Sequence, residues 1–359
     1  MTEFGTFFLP GPTEVRSEVL AAMSRPMIPH RGKNFEALYS NVNGGLQHAF
    51  RTRRPVYMST SSASGLMEAS IRCAPAGPIL SLVNGAFSER FANIARACDR
   101  ETVVIETPAG TVHEYSAVES ALNAREFAAV TVVHSETSTG ALTDIAAIAK
   151  LAHAHGAMIL VDSVTGLGGA PVETDAWEVD FVLTGSQKAL ALPPGLAFGV
   201  ASESFILQAQ TAHARGLYFD LVEFELFAHK NQTPNTPAVS LLYAAEVQMK
   251  AIEAEGIEAR WARHEAMRVM TESWCELNGL TILATDGSRS PTVTAIRLPD
   301  GLTPGAVVKA VSERGFVIGG GYGKMKDVTF RIGHMGDHTP DRLALCLAAC
   351  ADALHSLTK

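Results

Sequence analysis

The chain has 359 residues, 47% hydrophobic and 18% charged, which suits one large domain plus a smaller one and excludes a disordered chain. A net charge of −8, with Arg51-Thr52-Arg53-Arg54 as the one short basic cluster, argues against a nucleic-acid partner. Five cysteines, at 73, 98, 275, 346 and 350, make no CxxC and no zinc-ligand spacing, so neither a disulfide framework nor a metal centre is expected.

Reduced thiols point to the cytoplasm. The N-terminal stretch lacks the basic start and the apolar length of a signal peptide. No run approaches the roughly 18 apolar residues of a membrane helix. A soluble cytoplasmic protein with no membrane partner is expected.

Short apolar runs alternate with amphipathic stretches along the first two thirds. Strands are expected at Ile79–Val83, Thr102–Glu106, Ala129–His134, Met158–Asp162, Phe181–Thr184 and Leu196–Ala201. Helices are expected between them, at Ser88–Cys98, Tyr115–Ala124, Asp144–His155 and Ser202–Ala214. This alternation predicts an α/β architecture with a mostly parallel sheet covered on both faces. Helix then dominates from Pro237 to about Leu277. Beyond it, strands at Thr281–Ala284, Thr292–Leu298, Phe316–Gly319 and Val328–Ile332, with helices at Pro304–Arg314 and Pro340–Leu357, predict a smaller α+β domain. The expected division is a large domain over 18–260 and a small one over 261–359 joined by 1–17. Gly319-Gly320-Gly321 reads as a flexible turn that lets the small domain close, because no helix opens behind it.

In an open parallel sheet, ligands collect beyond the carboxyl ends of the strands. Three successive strands deliver polar residues there: the segment from His134 to Gly140, Asp162-Ser163, and Thr184-Gly185-Ser186-Gln187-Lys188. Asp162 closes a fully apolar run, so its carboxylate needs a positive partner, and a protonated pyridine nitrogen is one. Alone, the same residue is more often a helix cap or a loop aspartate at a strand end. Lys188, flanked by Ala, Leu and Pro, is placed for a lowered pKa and Schiff-base chemistry, although most lysines are simply solvated. Ser59-Thr60-Ser61-Ser62-Ala63-Ser64-Gly65 precedes a helical stretch and offers N–H and hydroxyl donors to a phosphate, or forms a Ser-rich turn. These three features together point to pyridoxal 5′-phosphate.

In order along nearly the whole chain, Leu9-Pro10-Gly11-Pro12-Thr13, Pro29-His30-Arg31, Ser62-Ala63-Ser64, Asn84-Gly85-Ala86-Phe87, the segment 134–140, Val161-Asp162-Ser163-Val164, Gly185-Ser186-Gln187-Lys188, Thr233-Pro234-Asn235-Thr236-Pro237 and the segment 330–336 resemble the class V aminotransferases of pyridoxal-phosphate fold type I. Within that family the sequence is most similar to the alanine/serine–glyoxylate group. The resemblance implies a mostly parallel seven-stranded sheet in the large domain and a homodimer with a shared active site. It implies that Lys188 is the Schiff-base lysine and proton shuttle, and that Asp162 is the pyridinium partner. Thr137 would hydrogen-bond the phenolic oxygen, and Phe87, where relatives often carry Trp, would stack on the ring. Ser62, Ala63, Ser64 and Gln187 would hold the phosphate, with Thr236 reaching it from the partner subunit. Ser64 stands where relatives commonly have Thr or His.

Arg331 lies in an expected small-domain strand, where a guanidinium can grip an α-carboxylate through two parallel hydrogen bonds or lie in solvent. The resemblance favours the grip, with Gly11 contributing backbone groups. His334 reads as structural.

The expected activity is transamination in two half-reactions, from a small amino acid such as alanine or serine to a keto acid such as glyoxylate or pyruvate. Aminoethylphosphonate or phosphoserine specificity is the alternative, with Arg31, Lys324 or Lys326 as the extra cations. A desulfurase is disfavoured because residues 319–330 contain no cysteine. A fold that only binds is disfavoured by Lys188, Asp162 and Arg331.

Overall fold

The computed structural model describes residues 5–358. In chain order the strands are β1 (Thr6–Phe8), β2 (Tyr57–Ser59), β3 (Ile79–Val83), β4 (Thr102–Glu106), β5 (Ala129–Val133), β6 (Ser135–Glu136), β7 (Ala141–Leu142), β8 (Met158–Asp162), β9 (Phe181–Gly185), β10 (Ala197–Ala201), β11 (Val293–Arg297), β12 (Phe316–Gly320) and β13 (Thr329–Gly333). The helices are α1 (Ser17–Ala22), α2 (Lys33–Phe50), α3 (Ala63–Cys73), α4 (Ala86–Ala97), α5 (Tyr115–Ala124), α6 (Ile145–Ala154), α7 (Glu203–Ala209), α8 (Leu221–Ala228), α9 (Val239–Glu255), α10 (Ile257–Leu277), α11 (Pro304–Ser312) and α12 (Pro340–Leu357).

Seven strands form the main sheet, in the order β2-β10-β9-β8-β5-β3-β4. The run from β9 to β4 is parallel, and β10 and β2 add an antiparallel edge. Strands β3, β5, β9 and β10 are buried at every residue, which is why their sequences are apolar without alternation. Helix α3 packs on β9 and β10, α4 on β3 and β5, and α6 on β8. The fold is therefore the α/β fold type I architecture expected from the sequence.

A second sheet, β1-β12-β13-β11, has its own core of Phe8, Ile296, Ile318, Phe330, Ile332 and Leu343. Helices α11 and α12 cover it, each opened by a capping threonine (Thr303, Thr339) followed by proline. Helix α10 serves both cores: Ile257 lies in the first, Met267, Trp274 and Cys275 in the second.

Three expectations need correcting. Gly319 and Gly320 belong to β12, paired with Arg331 and Phe330, so they are no flexible turn. Glycine is needed there because a Cβ on Gly319 would lie 2.7 Å from Pro10 Cδ. The stretch Thr281–Ala284 makes only an isolated bridge, Ile282 to Ile296. The helix expected over Ser202–Ala214 stops at Ala209, and Ala214 itself has a φ of 61°.

Candidate active site

Parallel strands β5, β8 and β9 lie side by side. Beyond β5 come His134 and the hairpin β6–β7; β8 ends on Asp162, and β9 ends shortly before Lys188. The topology thus gathers at one sheet edge the residues that the sequence placed at strand ends.

Lys188 is buried, with its ammonium donating to the Pro10 carbonyl and lying 5.8 Å from the centre of the Phe87 ring. Burial, helped by the Arg331 guanidinium, brings its pKa down from 10.5 to about 8, against the pull of Asp162 and Glu136. The N-terminal segment straps the lysine in place: Thr13 N–H donates to the Gln187 carbonyl at 3.1 Å, and Thr13 Oγ1 to the Lys188 carbonyl at 3.2 Å.

Asp162 is 2% exposed. Its Oδ1 accepts the Val164 N–H at 2.8 Å, and it makes no ion pair among the described residues. Burial pushes its carboxyl up from 3.8 to about 7, with the Val164 N–H opposing and the Glu136 charge adding to the rise. Such a carboxylate lacks a cation, and a pyridinium nitrogen would supply one.

The segment expected to hold a phosphate lies at the start of α3. Ala63 and Ser64 open α3, whose first N–H groups have no partner within the helix. A Cβ on Gly185 would meet both Gln187 Oε1 (3.0 Å) and Ala63 Cβ (3.5 Å), so the Gln187 amide stands beside that helix start. Arg90 of α4 reaches the same place, its Nη1 lying 3.5 Å from Ser64 Oγ. The residues present fit pyridoxal phosphate at both its charged ends.

Arg331 crosses from β13 toward Lys188. Its Nε donates to the Gly320 carbonyl at 2.9 Å and its Nη1 to the Thr137 carbonyl at 3.1 Å. Burial lowers its pKa to about 10, which leaves it charged. Its Nη2 has no partner among the described residues, so one edge of the fork remains for a ligand. Thr137 itself pairs through Oγ1 with Thr165 Oγ1.

Three neighbours were not singled out from the sequence. Glu136, fully buried, accepts from Phe87 N (3.1 Å), Ser88 N (3.0 Å), Ser88 Oγ (3.1 Å), Ser138 N (3.1 Å) and Ser138 Oγ (2.6 Å), tying the start of α4 to the hairpin. Tyr322 stacks on Phe87, with centroids 5.4 Å apart and planes 11° off parallel. Arg90 sits over the Phe87 ring at 5.6 Å and meets the Tyr322 hydroxyl at 3.4 Å. Only Glu136 left a trace in sequence, as a lone acid among hydroxyl residues after an apolar strand.

Of the remaining candidates, Lys324 lines a cavity with Gly85, Ala86, Ser138 and Tyr322. Thr236 is exposed, in a loop that borders Thr60 and Tyr218. Arg31 donates to the Pro234 carbonyl at 3.1 Å and packs over Phe227. Lys324 is paired with Glu106 at 2.5 Å. His334 has both ring nitrogens engaged, by Thr294 Oγ1 and the Pro291 carbonyl, and burial holds its pKa near 4, as befits a structural residue.

A buried lysine after one strand and a buried aspartate at the end of its neighbour, in a seven-stranded sheet of this order, define the fold type I pyridoxal-phosphate enzymes. The family model of the class-V aminotransferases matches residues 59–329, and the chain belongs to that family. It is 36% identical over 355 residues to an uncharacterized aminotransferase of Methanocaldococcus jannaschii, covering 97% of this chain and 92% of that protein. It is 31% identical to the L-aspartate–glyoxylate aminotransferase of Paracoccus denitrificans, over 98% of this chain and 91% of that one. The crystal structure of an alanine–glyoxylate aminotransferase from Nostoc superposes with a TM-score of 0.93 at 28% identity, covering 99% and 96% of the two chains. The protein is thus an aminotransferase that uses pyridoxal phosphate. No helix among the described residues is long and apolar enough to cross a membrane.

Proposed function

We propose that the enzyme moves the amino group of a small amino acid, alanine or serine, to glyoxylate or pyruvate. The observation that carries this is the free Nη2 edge of Arg331, buried beside Lys188 and fixed by two backbone carbonyls. A guanidinium held that way takes a carboxylate in two parallel hydrogen bonds. Glyoxylate, named as a substrate of the Paracoccus and Nostoc relatives, supports the acceptor.

Bound pyridoxal phosphate supplies an electron-withdrawing ring that takes up the electron pair left at the substrate Cα. The rest falls to the protein. Asp162 keeps the ring nitrogen protonated, Phe87 covers a ring face, and the Thr137 hydroxyl serves the ring oxygen. Ser62, Ala63, Ser64 and Gln187 hold the phosphate. Arg331 fixes the substrate carboxylate, with Gly11 beside it. Lys188 Nζ, with a pKa brought to about 8, takes the proton from Cα and returns it on the far side of the reaction. Thr236, exposed in its own chain, serves the site of a second protomer in a cytoplasmic homodimer. The unit built on β1, β11, β12 and β13 closes over the site.

The engagement of Lys324 by Glu106 and of Arg31 by Pro234 favours uncharged donors over phosphonates. The test is a screen of alanine, serine, aspartate, phosphoserine and aminoethylphosphonate against glyoxylate, pyruvate and 2-oxoglutarate. Turnover of alanine or serine with glyoxylate or pyruvate is expected. In Arg331→Lys it should fall about 10- to 100-fold in kcat/KM, as loss of a charged bidentate contact does. Reaction with phosphorylated or phosphonate donors alone would overturn the proposal.

A further inference from the structure

Tyr322 has no part in holding the cofactor, yet it lies against the reacting space. Its ring is bracketed by two site residues: Phe87, stacked on it at 5.4 Å between centroids with the planes nearly parallel, and the Arg331 guanidinium at 5.6 Å from the ring centre. Phe87 in turn lies 5.8 Å from Lys188 Nζ. Arg90 holds the hydroxyl end, at 3.4 Å. The backbone around Tyr322 is equally constrained. A Cβ on Gly321 would lie 2.1 Å from the Met325 carbonyl oxygen, and one on Gly323, whose φ is 57°, would lie 2.8 Å from Ala86 Cβ. Neither neighbour tolerates a side chain, so the turn is seated on the start of α4 in one way and Tyr322 is presented in one place.

We propose that Tyr322 determines substrate specificity, walling the pocket between Arg331 and Phe87 so that only side chains up to about the size of a hydroxymethyl group are accepted. The inference rests on Arg331 taking the α-carboxylate. A substrate anchored there and reacting at Lys188 must project its side chain into the space bounded by Arg331, Lys188 and the Tyr322–Phe87 stack. Carbon atoms pack no closer than about 3.5 Å, so a branched or aromatic side chain requires the Tyr322 ring to leave. Leaving breaks the stack on Phe87 and uncovers Arg331, both of which are attractive contacts. An alanine or serine side chain needs no such displacement.

The test uses the holoenzyme with Tyr322→Ala and Tyr322→Phe, and two measurements. The first is kcat/KM for leucine and phenylalanine relative to alanine, with one acceptor. Tyr322→Ala should raise both ratios at least tenfold, and Tyr322→Phe, which keeps the ring, should leave them within about twofold (about 1.4 kcal/mol per factor of ten). The second is calorimetric binding of unreactive carboxylates. Tyr322→Ala should tighten 3-phenylpropionate relative to propionate, and Tyr322→Phe should not. Unchanged ratios and unchanged relative affinities in Tyr322→Ala, with alanine still a substrate, overturn the role of Tyr322 alone. Failure of the underlying reading looks different: propionate binds equally well to Arg331→Lys and wild type, whatever stands at 322.

Discussion

Gly11 and Lys188 are in such close contact that a side chain at position 11 would have to push the lysine aside. A Cβ there would lie 2.6 Å from Lys188 Nζ and 2.5 Å from its Cδ, and the backbone φ of 100° is one that side chains avoid. The peptide that carries Gly11 also presents the Pro10 carbonyl to the same ammonium. Gly11→Ala should therefore displace the lysine, the reacting group of the proposed mechanism. A displacement of about 1 Å at a reacting centre costs about a hundredfold in rate. Steady-state turnover should fall by about that factor with the far-ultraviolet circular dichroism unchanged; turnover within twofold of wild type would show that the contact is slack.

Burial of Lys188 makes the apoprotein's stability depend on pH with a definite sign. The folded-state pKa is lowered from 10.5 to about 8. Between those values the unfolded chain binds more protons than the folded one, so stability rises with pH through that window and the penalty is complete below it. Chemical denaturation of the apoprotein below pH 8 and above pH 10 should show this rise, and Lys188→Met should abolish its share of it. The same shift places an ascending limb near pH 8 in the proposed proton transfer, where Nζ must be neutral to accept.

Asp162 works in the opposite direction. Its folded-state pKa is raised from 3.8 to about 7, so the folded apoprotein binds more protons across that interval and loses stability as pH rises through it. Asp162→Asn keeps an oxygen for the Val164 N–H and removes the buried charge. Its apoprotein should be more stable than wild type above pH 7, by no more than a few kcal/mol at about 1.4 kcal/mol per unit. The variant should also lose pyridoxal phosphate on dialysis and stay colourless. A variant that melts lower than wild type at pH 8 would contradict the account of Asp162 as a carboxylate waiting for a cation.

Glu136 holds α4 by its first N–H groups and the hairpin by Ser138. Glu136→Gln brings an NH2 group among donors. The mismatch should cost about 3 kcal/mol, the scale for an uncompensated buried polar partner. The Glu136 charge also supports the protonated form of Lys188. The ascending limb of the pH profile should therefore move to lower pH in the variant. A change in melting temperature with no movement of the profile would reduce Glu136 to a helix anchor.

The strands that build the site were legible because β5 and β9 are buried throughout and β8 at every residue but Met158, and β3, β4 and β8 fall on the expected residues. The strand-end position of Asp162 and Lys188 followed from that. What escaped was short or defined by distant partners. Strands β1 and β2 have three residues each, too few to show a period, and β1 exists only through its pairing with β12. Gly319 looked like a turn residue because its reason, Pro10 passing close by, lies at the other end of the chain. Tyr322 and Arg90 carry no motif, and their weight comes entirely from contacts between the start of α4 and the loop after β12.

Helix α10 spans 21 residues, about 31 Å at 1.5 Å per residue. One end is embedded in the core under the large sheet and the other in the core under the small one. A single rigid rod with both ends anchored transmits loss of order from one core to the other. The two cores should consequently melt together, giving one calorimetric peak whose van't Hoff and measured enthalpies agree, and a proline placed mid-rod should split that peak in two.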